Sequence, residues 1–206
     1  MRILSTALWI LLSLTLLGCN EAGSNLNAQV RENAEPVADS EVAVIEMENQ
    51  AAYGSITVEL YSNIAPKMVE RFKQLAKEGV YDGVIFHRVN QSVIQSGDPL
   101  SKDDDPGNDG TGKSDKPDVQ AEFSDIEFDT GIVGAARGPD FDSQNSQFFI
   151  TLKREPGFDR RYTIFGKVID GMVNARTIGG APRDGEKLID EVRIKTIRIE
   201  PRPNSD

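Results

Sequence analysis

The chain has 206 residues and a formal net charge of −10, with one cysteine and one histidine. That length suits one domain with appendages, and the acidity argues against a nucleic-acid binder, which would carry a basic stripe. A lone Cys19 and a lone His87 supply neither an intrachain disulfide nor a Cys/His zinc centre, so no metal or other cofactor is expected.

Residues 1–18 read as a secretory signal peptide. Arg2 provides a positive start, and the apolar run from Ala7 to Leu17 is too short for a comfortable membrane span. The run ends Leu16-Leu17-Gly18-Cys19, which resembles the bacterial lipobox, where the cysteine is acylated and becomes the new N-terminus. Cys19 is therefore the expected lipidation site, and more than one acyl chain gives a stable membrane anchor. Asn20 rather than aspartate follows it, which by resemblance to Gram-negative sorting rules implies the outer membrane, on its periplasmic side. The plain alternative is a secreted protein with an incidental cysteine. Residues 20–40 are polar and aperiodic, with too few large apolar groups to order themselves, so residues 19–40 read as a lipidated cysteine and flexible tether. The domain is expected over 41–200 and a disordered tail over 201–206.

Within the domain, Val44 to Glu48 reads as a strand paired with a second in which Ile56, Val58 and Leu60 alternate with polar residues. A helix follows, with Pro66 in its first turn, an apolar stripe at Val69, Phe72, Leu75 and Ala76, and a stop at Lys77 and Gly79. Short strand-like runs come next at Val84–Val89, Val93–Gln95, Ile132–Ala136, Gln147–Leu152 and Tyr162–Ile169, with a second helix over Met172–Ile178. In the last strand Val192 and Ile194 share one face while Ile197 and Ile199 share the other, a phase flip that predicts a β-bulge near Lys195. Many short strands with two helices predict an antiparallel β-barrel with helices at its ends.

Three local patterns invite other functions. Gly107 to Ser114 matches the phosphate-binding loop G-x-x-x-x-G-K-[ST]. Such a loop needs a buried strand before it and a helix N-terminus after it. Here Leu100-Ser-Lys-Asp-Asp-Asp-Pro precedes it, Pro117 disfavours helix beyond it, and five aspartates between Asp103 and Asp115 repel a triphosphate. No nucleotide is expected. Asp129-Thr-Gly occurs once, whereas aspartic proteases need two such carboxylates. The acidic loop at Asp103–Asp109 lacks the EF-hand ligand spacing and closing glutamate, so no calcium is expected.

The informative stretch is Tyr81-Asp-Gly-Val-Ile-Phe-His-Arg-Val-Asn-Gln-Ser-Val-Ile-Gln-Ser-Gly-Asp98. With Glu59-Leu60-Tyr61 before it, and the Gly-Thr-Gly loop, Ser146-Gln-Phe-Phe-Ile150 and Tyr162-Thr-Ile-Phe-Gly-Lys-Val168 following it in that order, it resembles the cyclophilins, which are prolyl isomerases. The resemblance covers about Val44 to Ile199. It implies a mainly β fold, a closed eight-stranded antiparallel barrel capped by two helices, with a substrate groove on its outer face.

The chemistry of prolyl isomerisation asks for few groups. An Xaa–Pro bond turns slowly because twisting it breaks amide resonance, and in the twisted state the proline nitrogen regains a lone pair. A catalyst needs a donor at that nitrogen, an apolar wall for the ring and polar groups to fix the flanking peptide. The resemblance implies Arg88 as the catalytic donor and Phe149 with Phe86 as the wall, although Phe86 reads equally well as core. It implies Gln95 and Gln147 as backbone-binding groups, Ala136 as groove floor, and Phe158 and Tyr162 as groove residues. His87 is expected to make a structural hydrogen bond. Departures from the pattern are a segment between Arg88 and Gln95 one residue short, Ser92 or Val93 in place of an aromatic, Gly157 where many members carry tryptophan, and Arg137 at a site often given to asparagine. The expected activity is isomerisation of Xaa–Pro bonds in exported, unfolded or extended polypeptides by a monomeric, envelope-anchored enzyme. The alternative is a degenerate cyclophilin that binds peptides as a chaperone module with little catalysis.

Overall fold

The computed structural model describes residues 29–203. The expectations at Cys19, for the signal peptide and for the last three residues therefore lie outside the described residues. Eight strands form one antiparallel sheet: β1 (Glu41–Met47), β2 (Ser55–Leu60), β3 (Arg88–Val89), β4 (Val93–Ser96), β5 (Ile132–Ala135), β6 (Phe148–Thr151), β7 (Ile164–Asp170) and β8 (Ile194–Pro201). Their spatial order is β8-β1-β2-β7-β5-β6-β4-β3. A four-residue helix α1 (Gln50–Tyr53) fills the β1–β2 turn. The longer helices are α2 (Pro66–Lys77) and α3 (Met172–Gly180).

The sheet curls around a core in which Phe72 lies 5.4 Å from Phe148 and 5.2 Å from Phe165, ring centre to ring centre. Helix α2 turns Met68, Phe72 and Leu75 into that core, each fully buried side chain contributing about 1.5–3 kcal/mol. Its start has no local side-chain cap. Instead the Glu122 carboxylate, from a distant loop, accepts the Lys67 and Met68 amides at 3.2 and 3.0 Å, a tertiary substitute for an N-cap. Gly79 ends the helix with φ +69°, and the Val80 amide folds back onto the Leu75 carbonyl at 3.0 Å. The expected bulge is present as a register shift between Ile194 and Thr196, which lets Ile194 and Ile197 both face inward.

The barrel is not closed by a hydrogen-bonded ladder, contrary to expectation. The sheet is a curled half-barrel whose edges are β3 and β8. The run Val84–Val89 reads as one strand in sequence but is strand only at Arg88–Val89. The reason lies at Ile85, whose amide bonds the Ser101 hydroxyl at 3.2 Å and whose carbonyl accepts from the Ser96 hydroxyl at 2.8 Å. Side chains take those backbone groups, so residues 83–86 meet residues 192–194 through isolated contacts such as Phe86 N to Val192 O at 3.0 Å.

Residues 29–40, for which composition predicts a tether, lie along the domain. Val30 and Arg31 pair in parallel with Phe123 and Ser124, and Asp39 bonds Ser62 and Lys73. Strand β8 runs one residue past the expected boundary at 200, and the Arg202 amide bonds the Ser40 carbonyl at 2.8 Å.

Candidate active site

Strand register assembles the candidate residues. Arg88 pairs with Gln95, Gln95 with Phe149, and Phe149 with Gly134, a row across β3, β4, β6 and β5. Directly paired residues share a face, so this row points outward while the neighbouring row of Val89, Ile94, Ile150 and Val133 points into the core. The adjacent phenylalanines part accordingly: Phe148 enters the core, and Phe149 joins a separate cluster under the outer face with Tyr61, Phe128 and Ile132.

Phe149 stands over Gly134 because that glycine leaves room. A Cβ there would lie 2.4 Å from Phe149 Cζ. Around Phe149, Phe158 packs edge-on at 5.4 Å, Tyr162 edge-on at 5.5 Å and Phe128 stacks at 5.7 Å. Phe158 and Tyr162 are half-buried, so this aromatic group offers an apolar wall to solvent. Val93, in the shortened segment, is buried in the same cluster, and the Asn90 side chain closes the turn by accepting the Ser92 and Val93 amides at 2.8 and 2.9 Å. Phe86 does not join the wall. It is 1% exposed and packs in the main core.

The polar residues form one chain of hydrogen bonds. Arg88 Nε and Nη2 donate to the Glu186 carboxylate at 2.8 and 3.3 Å, and Nη1 donates to Gln95 Oε1 at 3.4 Å. Gln95 Nε2 donates to Gln147 Oε1 at 2.9 Å, and Gln147 Nε2 donates to the carbonyls of Gly110 and Gly112 at 3.0 and 2.8 Å. Buried Asp98 pins that loop by accepting the Gly110 and Gly112 amides. This explains the Gly-Thr-Gly-Lys-Ser stretch: its backbone amides face a carboxylate, not a phosphate. A cavity of about 350 Å³ adjoins the row, lined by Gln95, Gly110, Ala136, Arg137 and Gln147 among others. Arg137 lies 4.6 Å above the Tyr162 ring and 4.5 Å above Phe141, its guanidinium bonded to the Arg161 and Gly138 carbonyls.

Glu186 was invisible in the sequence. The turn is signalled by Gly185, which has φ +60°, but nothing local says that the next carboxylate reaches an arginine 98 positions away. The Arg88 guanidinium, then the Asn90 amide, hold the Glu186 carboxyl below the ordinary glutamate range. His87 differs from expectation. Among the described residues neither ring nitrogen has a partner at full hydrogen-bond geometry, the Gln147 side chain being merely nearby, and the imidazole packs beneath Gly110, 3.1 Å from where a Cβ would stand. Burial pushes its pKa down, with the Asp98 charge and the Gln147 side chain opposing.

Residues 44–199 match the family described as cyclophilin type peptidyl-prolyl cis-trans isomerase. A probable peptidyl-prolyl cis-trans isomerase of Brucella suis is 44% identical over 148 residues, covering 66% of this chain and 76% of that protein. A peptidyl-prolyl cis-trans isomerase of Schizosaccharomyces pombe is 43% identical over 136 residues, 65% of this chain and 84% of its own length. The crystal structure of a cyclophilin type isomerase from Cryptosporidium parvum aligns with a TM-score of 0.70 at 31% identity, covering 79% of this chain and 99% of that one. The same protein has been crystallised in the presence of the dipeptide Ala-Pro.

Proposed function

We propose, from the chain's membership of the cyclophilin-type peptidyl-prolyl cis-trans isomerases, that Arg88 is its catalytic group, and, from the Leu16-Leu17-Gly18-Cys19 run, that it serves exported proteins at the cell envelope. The supporting observation is the outward row of Arg88, Gln95 and Phe149, which puts a fixed cation beside an apolar wall with amides between them. A proline ring rests against Phe149, Phe158 and Tyr162, and the flanking peptide bonds Gln95 and Gln147 above Ala136. Crystallisation of the Cryptosporidium protein in the presence of Ala-Pro supports proline-containing peptides as the ligand class.

The barrier to be lowered, about 18–20 kcal/mol, is the loss of amide resonance. No bond to carbon forms or breaks, and no proton transfer is required. With Nε and Nη2 engaged by Glu186, the free N–H groups of Arg88 can reach the proline nitrogen when its lone pair localises. That hydrogen bond has no counterpart in the planar amide, so it favours the twisted state alone.

Arg88→Ala removes a surface side chain and leaves the core intact. It should cost about 10²–10³ in kcat, or roughly 2.7–4 kcal/mol, with KM little changed. Arg88→Lys should recover little, because an ammonium lacks the planar fork. NMR exchange on a short Xaa–Pro peptide measures both, and a mutant within about threefold of wild type would move the chemistry off Arg88.

The envelope assignment is supported by the position of Cys19 directly after Leu16-Leu17-Gly18. Mass spectrometry of the membrane fraction should find lipid on Cys19, and Cys19→Ala should leave unprocessed or soluble protein. Wild-type protein without lipid would refute the anchor.

A further inference from the structure

The family match begins at residue 44, yet residues 30–39 are fastened along the domain, and Glu32 among them grips the loop that carries Phe158 and Tyr162. We propose that this segment is a strap that positions the proline-binding wall, with Glu32 as a positioning residue acting through Arg160. The inference rests on the reading of Phe149, Phe158 and Tyr162 as that wall.

The strap is anchored first at residues 123–125. Val30 and Arg31 pair with Phe123 and Ser124, and the Asp125 amide bonds the Arg31 carbonyl at 3.1 Å. The Asp125 carboxylate accepts the Asn33 and Ala34 amides at 2.7 and 3.0 Å, bonds that hold its pKa below the usual aspartate range. Between these anchors the Glu32 carboxylate takes the Arg160 guanidinium in a two-pronged pair, Nη1 at 2.5 Å and Nη2 at 3.0 Å. Arg160 stands between Phe158 and Tyr162 in sequence and has φ +61°, a conformation that a non-glycine residue keeps only when its surroundings hold it. Its neighbour Asp159 is gripped from the inner side, accepting the Phe128 amide and Arg154 Nη1, both at 2.9 Å. The loop carrying two of the wall aromatics is thus held inward by Asp159 and outward by the strap.

Packing gives the same direction. Ala34 and Ala38 pack against the buried cluster of Tyr61, Ile64, Phe128 and Phe149, the same cluster against which Phe158 and Tyr162 pack. The far end is fixed by Asn63 to the Val37 amide at 3.0 Å and by Asp39 to Lys73 of α2 at 2.7 Å, and the Asn63 carbonyl also accepts from the Arg31 guanidinium. An exposed ion pair contributes little global stability, so releasing Glu32 should appear in the wall's order and in peptide binding more than in melting.

The test uses the full chain with amide hydrogen exchange and NMR isomerisation kinetics. Glu32→Ala with Asp125→Ala should speed exchange over residues 156–162 and raise KM by about threefold or more, with kcat within about twofold. Asp39→Ala, which loosens only the far end, should lower the melting temperature without either change. Exchanging the pair, Glu32→Arg with Arg160→Glu, should restore slow exchange and part of KM. Faster exchange at residues 30–38 with unchanged exchange at 156–162 and unchanged KM would overturn the proposal. If Phe149→Ala itself leaves KM unchanged, the wall reading fails, and the strap's role in binding falls with it.

Discussion

Arg88 is exposed yet not free. Glu186 engages two of its nitrogens, and Asn90 Nδ2 braces that carboxylate at 2.5 Å. A positioned cation loses less freedom on meeting the twisted amide than a mobile one. Glu186→Gln keeps the size and weakens the grip, so it should lower kcat by about three- to tenfold while Arg88 remains in place. Acid should mimic the substitution. Since the folded carboxyl lies below the ordinary value of 4.5, the ion pair is complete above that value and is lost as pH falls through the lowered one. The variant should lack that acid-dependent loss of kcat. Equal activity in the two proteins at neutral pH would show that Arg88 needs no such brace. The sequence singles out Arg88 through its Phe-His-Arg setting but not Glu186, because their contact depends on where the distant turn at Gly185 falls.

At the scale of elements, the wall depends on β5 and β6 approaching closely enough for Phe149 to lie over Gly134. A methyl group at that position would also come within 2.9 Å of Phe128 Cε1, so both rings must move. Gly134→Ala should therefore cost about 1–3 kcal/mol of stability by overpacking. It should also raise KM, because the ring displaced is the one proposed to receive proline. Urea unfolding with peptide titration checks both, and an unchanged midpoint with unchanged KM would mean the sheet absorbs the methyl. Strand alternation, the α2 stripe and the bulge near Lys195 are legible in the sequence, since each is a local period or its interruption. The shortness of β3 is not. Whether Ile85 joins a ladder depends on hydroxyls from Ser96 and Ser101.

The whole molecule should respond to pH through its single histidine. Burial depresses the His87 pKa below the ordinary 6.5, so the unfolded chain takes the proton first. The stability this group contributes is complete above about 6.5 and is lost as pH falls through the depressed value. The melting temperature should drop between pH 7 and 5, and His87→Gln should flatten that slope. As the only imidazole in the chain, its proton resonances report the titration directly, and a midpoint at or above 6.5 would contradict the burial argument. By itself the sequence determined what local order encodes: which segments alternate, where a helix starts and stops, and the ordered motifs that mark the family. The open seam of the barrel, the core position of Phe86, the grip of Glu186 on Arg88 and the course of residues 30–39 came from the folded chain alone. These are contacts between residues tens of positions apart, and a local period has no information about which distant side chain arrives to take a backbone group or a charge.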